Sequence, residues 1–245
     1  MAAQFLRRFS FFARRGMSGA RNFSTTTSHK FFRGALLAFA LVLGCQAAWI
    51  LTAETFRPLR LHFHTMAQAA GVASDRDAAG VAASFGVIRG DLWAEYALTY
   101  LSVIGYDEPY GYAAPDAKTV EHAREAADRA LALAPHNARV WLVLAIINSR
   151  LGQNSAAALR MSYYTGVSAV ELIPLRLDLA VNSKALAEKD FQELVRHDIR
   201  TIVTRKPELK PAILTAYRDA SPIGRQVLEE MLKEIDPALT LRPKE

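Results

Sequence analysis

The sequence predicts an all-α protein: one N-terminal transmembrane helix followed by a domain of antiparallel helix hairpins. Three observations carry that prediction. Residues 34–53, GALLAFALVLGCQAAWILTA, are twenty residues without a charge. Beyond them the apolar side chains recur at three- and four-residue steps, which is helical spacing, and no run of alternating β-branched residues is long enough to argue a sheet. Finally, 51% hydrophobic residues in a chain of 245 suffice to bury a core, which excludes a wholly disordered polymer.

Charge divides the chain at the same place. The 24 acidic residues all lie at Glu54 or beyond, whereas seven of the 30 basic residues (Arg7, Arg8, Arg14, Arg15, Arg21, Lys30 and Arg33) precede them. Residues 1–53 therefore carry +7, and the remainder 23 minus 24, or −1. A basic domain face, as phosphate binding requires, is not indicated, so nucleic acid is not an expected partner. The expected organisation is a basic disordered cytoplasmic tail over 1–33, the span over 34–53, a membrane-proximal helical connector over 54–88 and a helical domain over 89–245.

As a helix the uncharged run extends about 30 Å, the thickness of a bilayer's hydrocarbon core. Phe31, Phe32 and Trp49 suit its interfaces. Basic residues before it outnumber Arg57 and Arg60 after it, which places the N-terminus in the cytoplasm and exports the rest. Two other readings stay open. Val42-Leu43-Gly44-Cys45 resembles a lipobox, with Cys45 as lipid acceptor, although the apolar run continues to Leu51; translation from Met17 would shorten the leader. Residues 1–30 are Arg-rich, Ser/Thr-rich and acid-free, and Arg21-Asn22-Phe23-Ser24 resembles a mitochondrial processing signal. The Ala-rich, Arg-over-Lys exported portion resembles proteins of high-GC, alphaproteobacterial type. The expected location is a bacterial inner membrane with the domain in the periplasm, a mitochondrial inner membrane being the alternative.

Within the exported portion, residues 188–204 place Phe191, Leu194, Val195, Ile199, Ile202 and Val203 on one helical face. Residues 222–235 repeat this with Ile223, Val227, Leu228, Met231, Leu232 and Ile235, behind a Ser221 cap and with Pro222 in the first turn. Leu209, Ile213, Leu214 and Tyr217 mark a short helix between them. Asp91, ahead of LWAEYAL, reads as an N-cap.

Residues 123–152, AREAADRALALAPHNARVWLVLAIINSRLG, resemble the tetratricopeptide repeat, a helix-turn-helix unit of about 34 residues. Ala123, Ala127, Ala130 and Pro135 match the end of one unit's second helix. Trp141, Leu144 and Ala145 match the first helix of the next, while Asn148 departs from the usual tyrosine. The second helix of that unit would be Asn154 to Thr165, with Ala157 and Met161 at its small and bulky positions and Ala169 where proline is usual. Upstream, Trp93, Ala97 and Tyr100 also match, with Tyr96 in place of leucine. The two tryptophans are 48 apart, and Gly105 to Lys118, a fourteen-residue turn-rich stretch, supplies the excess over the period of about 34. The resemblance covers about 91–169, and residues 171–235 would complete and cap the array. It implies a stack of helix hairpins, a TPR-like α-solenoid, whose concave surface binds peptides or helices. An irregular helical bundle is the competing reading.

Catalytic and metal-binding signals are weak. His62 and His64 lack a third donor nearby and read as polar tips on a membrane-adjacent amphipathic stretch with Leu59, Leu61 and Phe63. His197-Asp198 and Glu121-His122 are helical neighbours that do not face one another, and read as solvated-face residues. Glu229-Glu230 with Lys233 reads as a surface ion-pair face, and Arg89-Gly90-Asp91 as a helix start. No phosphate loop or nucleophile elbow occurs. No enzyme activity, cofactor, metal or small-molecule substrate is expected; an enzyme without a recognisable motif is the alternative. The expected role is a membrane-tethered adaptor for another envelope or membrane protein. Its contact residues would be Tyr106, Asp107, Tyr110 and Tyr112 of the aromatic insertion, with Arg139 on the following helix.

Overall fold

In the computed structural model, which describes residues 25–57, 75–101, 104 and 116–237, every regular element is helical. The chain divides into two compact units, Met1–Trp49 and Ile50–Glu245. Helix α1 (Thr25–Thr55) contains the uncharged run and extends it at both ends. It reaches back into the expected disordered tail, where nothing in TTTSHKFF breaks a helix. Its stretch His29–Thr55, 27 residues long, is among the described residues the single helix long and apolar enough to cross a membrane. Phe31, Leu37, Phe39 and Leu41 project from it exposed and unpacked.

The second unit begins with the last turn of α1, whose Ala53 is buried in the domain's own core. Helices α2 (Asp75–Phe85), α3 (Gly90–Thr99), α4 (Ala117–Leu133), α5 (Ala138–Arg150) and α6 (Ala156–Thr165) then pack each on the next. Alanine makes this possible. Ala79, Ala82 and Ala83 on α2, Ala97 on α3, and Ala123, Ala127 and Ala130 on α4 are all buried. Small side chains at those steps let neighbouring helices approach closely.

Helix ends follow local chemistry. Pro135 lies just beyond α4, and Asn137 caps α5 by accepting hydrogen bonds from the backbone N–H groups of Arg139 (3.2 Å) and Val140 (3.4 Å). Gly152 closes the turn after α5 at φ +66°, a conformation that favours glycine. Helix α7 (Ile173–Val181) packs on α9 (Lys210–Asp219), while α8 (Lys189–Arg205) and α10 (Pro222–Ile235) flank them. The cap on α10 is as expected: Ser221 Oγ accepts from Gly224 N–H at 3.1 Å. Gly224 is where α10 meets α7, since a Cβ built there would lie 1.9 Å from the Val181 carbonyl oxygen.

Several expectations are corrected. Asp91 is a first-turn residue of α3, not its cap; Arg89 takes its carboxylate at 2.6 Å. Ala157 is exposed, and Ala158, one position on, holds the buried small site of α6. Ile223 lies outside the buried face of α10 because Gly224 and Leu228 make its close contact. Trp141 is partly buried, with its indole N–H donating to the Pro135 carbonyl at 2.8 Å, because Val140, Leu142 and Val143 occupy the interior. Asp198, expected on a solvated face, is 1% exposed. The Phe191, Val195, Ile199 and Ile202 stripe of α8 rotates it inward with them.

Candidate functional site

A groove of about 750 Å³ lies between α2, α3 and α4. Its floor is set by a stripe on α3, where Trp93, Tyr96 and Tyr100 fall at helical spacing. Trp93 and Tyr96 meet edge to face at 6.2 Å, Tyr96 and Tyr100 at 5.2 Å, and the two phenol oxygens are hydrogen-bonded at 2.6 Å. Burial, with the Tyr96 hydroxyl second, pushes the Tyr100 phenol above its ordinary pKa, so it stays protonated. Val81 and Phe85 of α2 form one wall, and His122 and Glu125 of α4 the other. A guanidinium stands over the floor at either end: Arg76 lies 4.9 Å above the Tyr100 ring and Arg129 4.8 Å above Trp93. Arg129 is also ion-paired with Glu125 at 3.3 Å. Arg76 donates to the Thr99 carbonyl at 3.3 Å, while its buried Nε–H meets no acceptor. Such a groove suits a segment that offers apolar side chains to the floor and an acceptor to Arg76.

Of the residues singled out in the sequence, Tyr106, Asp107, Tyr110 and Tyr112 lie outside the described residues, as do His62 and His64. Arg139, at the start of α5, is half-exposed and ion-paired with Glu171 at 3.0 Å. His122, read as a solvated-face residue, is exposed and lines the groove. Glu229 accepts from the Tyr217 hydroxyl and Glu230 from Gln226 at 3.1 Å, so α10's acids serve hydrogen bonds as well as charge.

Two further polar clusters surround or support this region. At the end of α1, Arg89 pairs with Glu54 at 2.5 Å, and Arg57 pairs with Asp91 at 3.6 Å and with Glu95. Deeper in the domain, Arg176 of α7 is fully buried. Its Nε donates to Ser162 Oγ at 3.0 Å, one Nη to the Gly166 carbonyl at 2.9 Å and the other to the Ser162 carbonyl, while Ser162 Oγ donates to the Ala138 carbonyl at 2.9 Å. The guanidinium also lies 5.0 Å from the Tyr163 ring centre. Gly166 is required here because a Cβ on it would lie 2.4 Å from the Ala138 Cβ and 2.8 Å from an Arg176 Nη. Asp198 comes from α8 with no ion pair to Arg176. Its Oδ2 and the Tyr163 hydroxyl are both buried without a hydrogen bond of full geometry. Burial pushes the Asp198 carboxyl up to about 7, against the opposing influence of Arg176 and the Tyr163 hydroxyl.

No protein-family model matches the chain, and neither a curated protein nor a solved structure shows significant similarity to it.

Sequence reasoning identified Trp93 and Tyr100 as helix-pairing residues and missed that they face a groove. It also missed the α2 wall, because residues 54–88 were read as a connector. The signal was present in DRDAAGVAASF, where Ala79, Ala82 and Ala83 mark a packed face and Val81 and Phe85 a second one.

Proposed function

We propose that the protein is a membrane-tethered adaptor that holds a segment of another envelope or membrane protein. The groove carries this reading: an open, aromatic-floored concavity built between helices, in the same chain as an apolar helix of membrane-spanning length. The helix pairs α3/α4 and α5/α6, with α4 against α5 and α3 also against α5, support a tetratricopeptide-like array over this region. Buried Ala97, Ala123, Ala127, Ala130 and Ala145 occupy its small positions, while Ala157 does not. The +7 leader favours a cytoplasmic N-terminus and a periplasmic domain at a bacterial inner membrane, in secretion, polysaccharide export or complex assembly. Arg21-Asn22-Phe23-Ser24 favours a second reading, an assembly factor of the mitochondrial inner membrane with a cleaved presequence.

A photo-crosslinking residue at Phe85, in the full chain within native membranes, tests the adaptor role. One reproducible protein adduct is expected, and Val81→Arg on the same wall should abolish it with helical content unchanged. Failure to recover a protein, or an adduct indifferent to Val81→Arg, overturns the groove as the docking site. Topology is tested separately by a reporter active only in the periplasm, fused after Glu245; cytoplasmic activity overturns it.

A further inference from the structure

We infer that the turn between α2 and α3 is a second membrane contact, with Val87 and Ile88 inserting into the lipid interface beside the end of α1. Four residues form this turn, Gly86 to Arg89, closed by the Arg89 N–H donating to the Gly86 carbonyl at 2.6 Å. Its two central residues are valine and isoleucine. Those positions in solvated turns are ordinarily filled by Gly, Pro, Asn, Asp or Ser, whose conformational and hydrogen-bonding habits suit them. Here they are β-branched and apolar, and they are left bare: Val87 is 61% and Ile88 74% exposed. Phe85, just before the turn, is also exposed, as is Phe56 beyond α1.

The turn is held where lipid would be. Its closing residue, Arg89, is ion-paired with Glu54, the first charged residue after the uncharged run of α1, and Ala53 beside Glu54 is buried in the domain core. Arg57, three residues on, is tied to Asp91 and Glu95 of α3. The last turn of α1 and the start of α3 are thus bound together immediately beyond the apolar tip. A bilayer's headgroup layer adds several ångströms outside the hydrocarbon core, and interfacial side chains sink about 5 to 10 Å into that boundary. A residue adjacent to one paired with Glu54 is within that reach. The tip is also stiff. A Cβ on Gly86 would lie 2.3 Å from Leu92 Cδ1, so the turn is packed down on α3, and its apolar pair cannot fold back into the core without displacing that contact. Ile223 on α10, 68% exposed, is a comparably bare apolar side chain outside this turn and serves as its control.

The inference rests on α1 spanning the bilayer, and one experiment separates the two. In the full chain carrying Cys45→Ala, single cysteines are placed at Leu41, Ile88 or Ile223, labelled with an environment-sensitive fluorophore and reconstituted in phosphatidylcholine/phosphatidylglycerol vesicles with or without doxyl-labelled lipid. Expected are strong quenching at Leu41, quenching with a blue-shifted emission at Ile88, and neither at Ile223. Quenching at Leu41 without quenching at Ile88 overturns the lipid contact and leaves the span intact. A blue shift at Ile88 that doxyl lipid does not quench assigns the tip to a protein surface and equally overturns it. Without quenching at Leu41 the span itself fails, and the inference with it.

Discussion

Replacing Asp198 by asparagine should change how the stability of this protein depends on pH, and the sign follows from its surroundings. The carboxyl lies inside α8's apolar stripe, and burial is the largest influence on it, raising it from 3.8 to about 7. In the unfolded chain it loses its proton near its ordinary value. Between about pH 4 and 7 the folded state therefore holds a proton that the unfolded state has lost, so stability declines as pH rises through this window and levels off above the folded value. At about 1.4 kcal/mol per pH unit, the gap from 3.8 to about 7 corresponds to about 4 kcal/mol. Glu171 and Asp91 have lowered values and act with the opposite sign, but only near and below their ordinary range. Asp198→Asn is isosteric, keeps a polar group facing Tyr163 and cannot ionise. Urea unfolding of both full-length chains in detergent at pH 5 and pH 8, followed by helical signal, gives the comparison. Relative to the parent, the variant should gain on the order of 2 to 3 kcal/mol between pH 5 and pH 8. A difference between the two chains that stays constant across that range would show that the carboxyl does not titrate as its burial requires.

Other substitutions probe packing and partner contacts. Gly224→Ala, which sets a methyl against the Val181 carbonyl, should cost about 1 to 3 kcal/mol and lower the thermal midpoint without loss of helicity below it. Trp141→Ala should cost about 2 kcal/mol, short of the 3 to 5 of a fully enclosed tryptophan, because its ring is partly exposed and one hydrogen bond to Pro135 is lost; an unchanged unfolding midpoint would contradict this. Replacing residues 106–112 by a Gly/Ser linker of equal length should eliminate recovery of a crosslinked partner if Tyr106, Asp107, Tyr110 and Tyr112 contact it. Retained recovery would leave the groove as the contact.

The helices were legible because their signals are local. The faces of α8 and α10 come from single periodic segments, Ser221 and Pro222 announce α10, and the uncharged run of α1 needs no tertiary partner to be noticed. Register errors arose where a helix is rich in one residue type. In SAAALRM the three alanines are equivalent by composition, and Ala158 rather than Ala157 is buried because packing on α5, a non-local fact, sets the rotation of α6. Trp141 was overvalued for a related reason: its bulk invited an interior position that the adjacent valines and Leu142 already fill.

The polar interior was illegible for a different reason. Arg176 and Asp198 are 22 positions apart on separate helices, and neither sits in a motif. An isolated arginine is read as surface because burying it costs several kcal/mol unless its donors are met. Here they are met by backbone: the Ser162 and Gly166 carbonyls at the end of α6, together with Ser162 Oγ. The carbonyls that α6 leaves unpaired at its C-terminal end carry partial negative charge, so they solvate a guanidinium without a carboxylate partner. That arrangement explains why Asp198 need not be ionised and is free to respond to its own desolvation. The same dependence on distant elements hid the groove. Trp93 and Tyr100 show in the sequence only as a stripe of large rings, and it takes α2 on one side and α4 on the other to turn the stripe into a floor. Substituting the wall rather than the floor is therefore the informative perturbation: Val81→Arg alters what the groove admits, whereas truncating Trp93 removes the packing that holds α3.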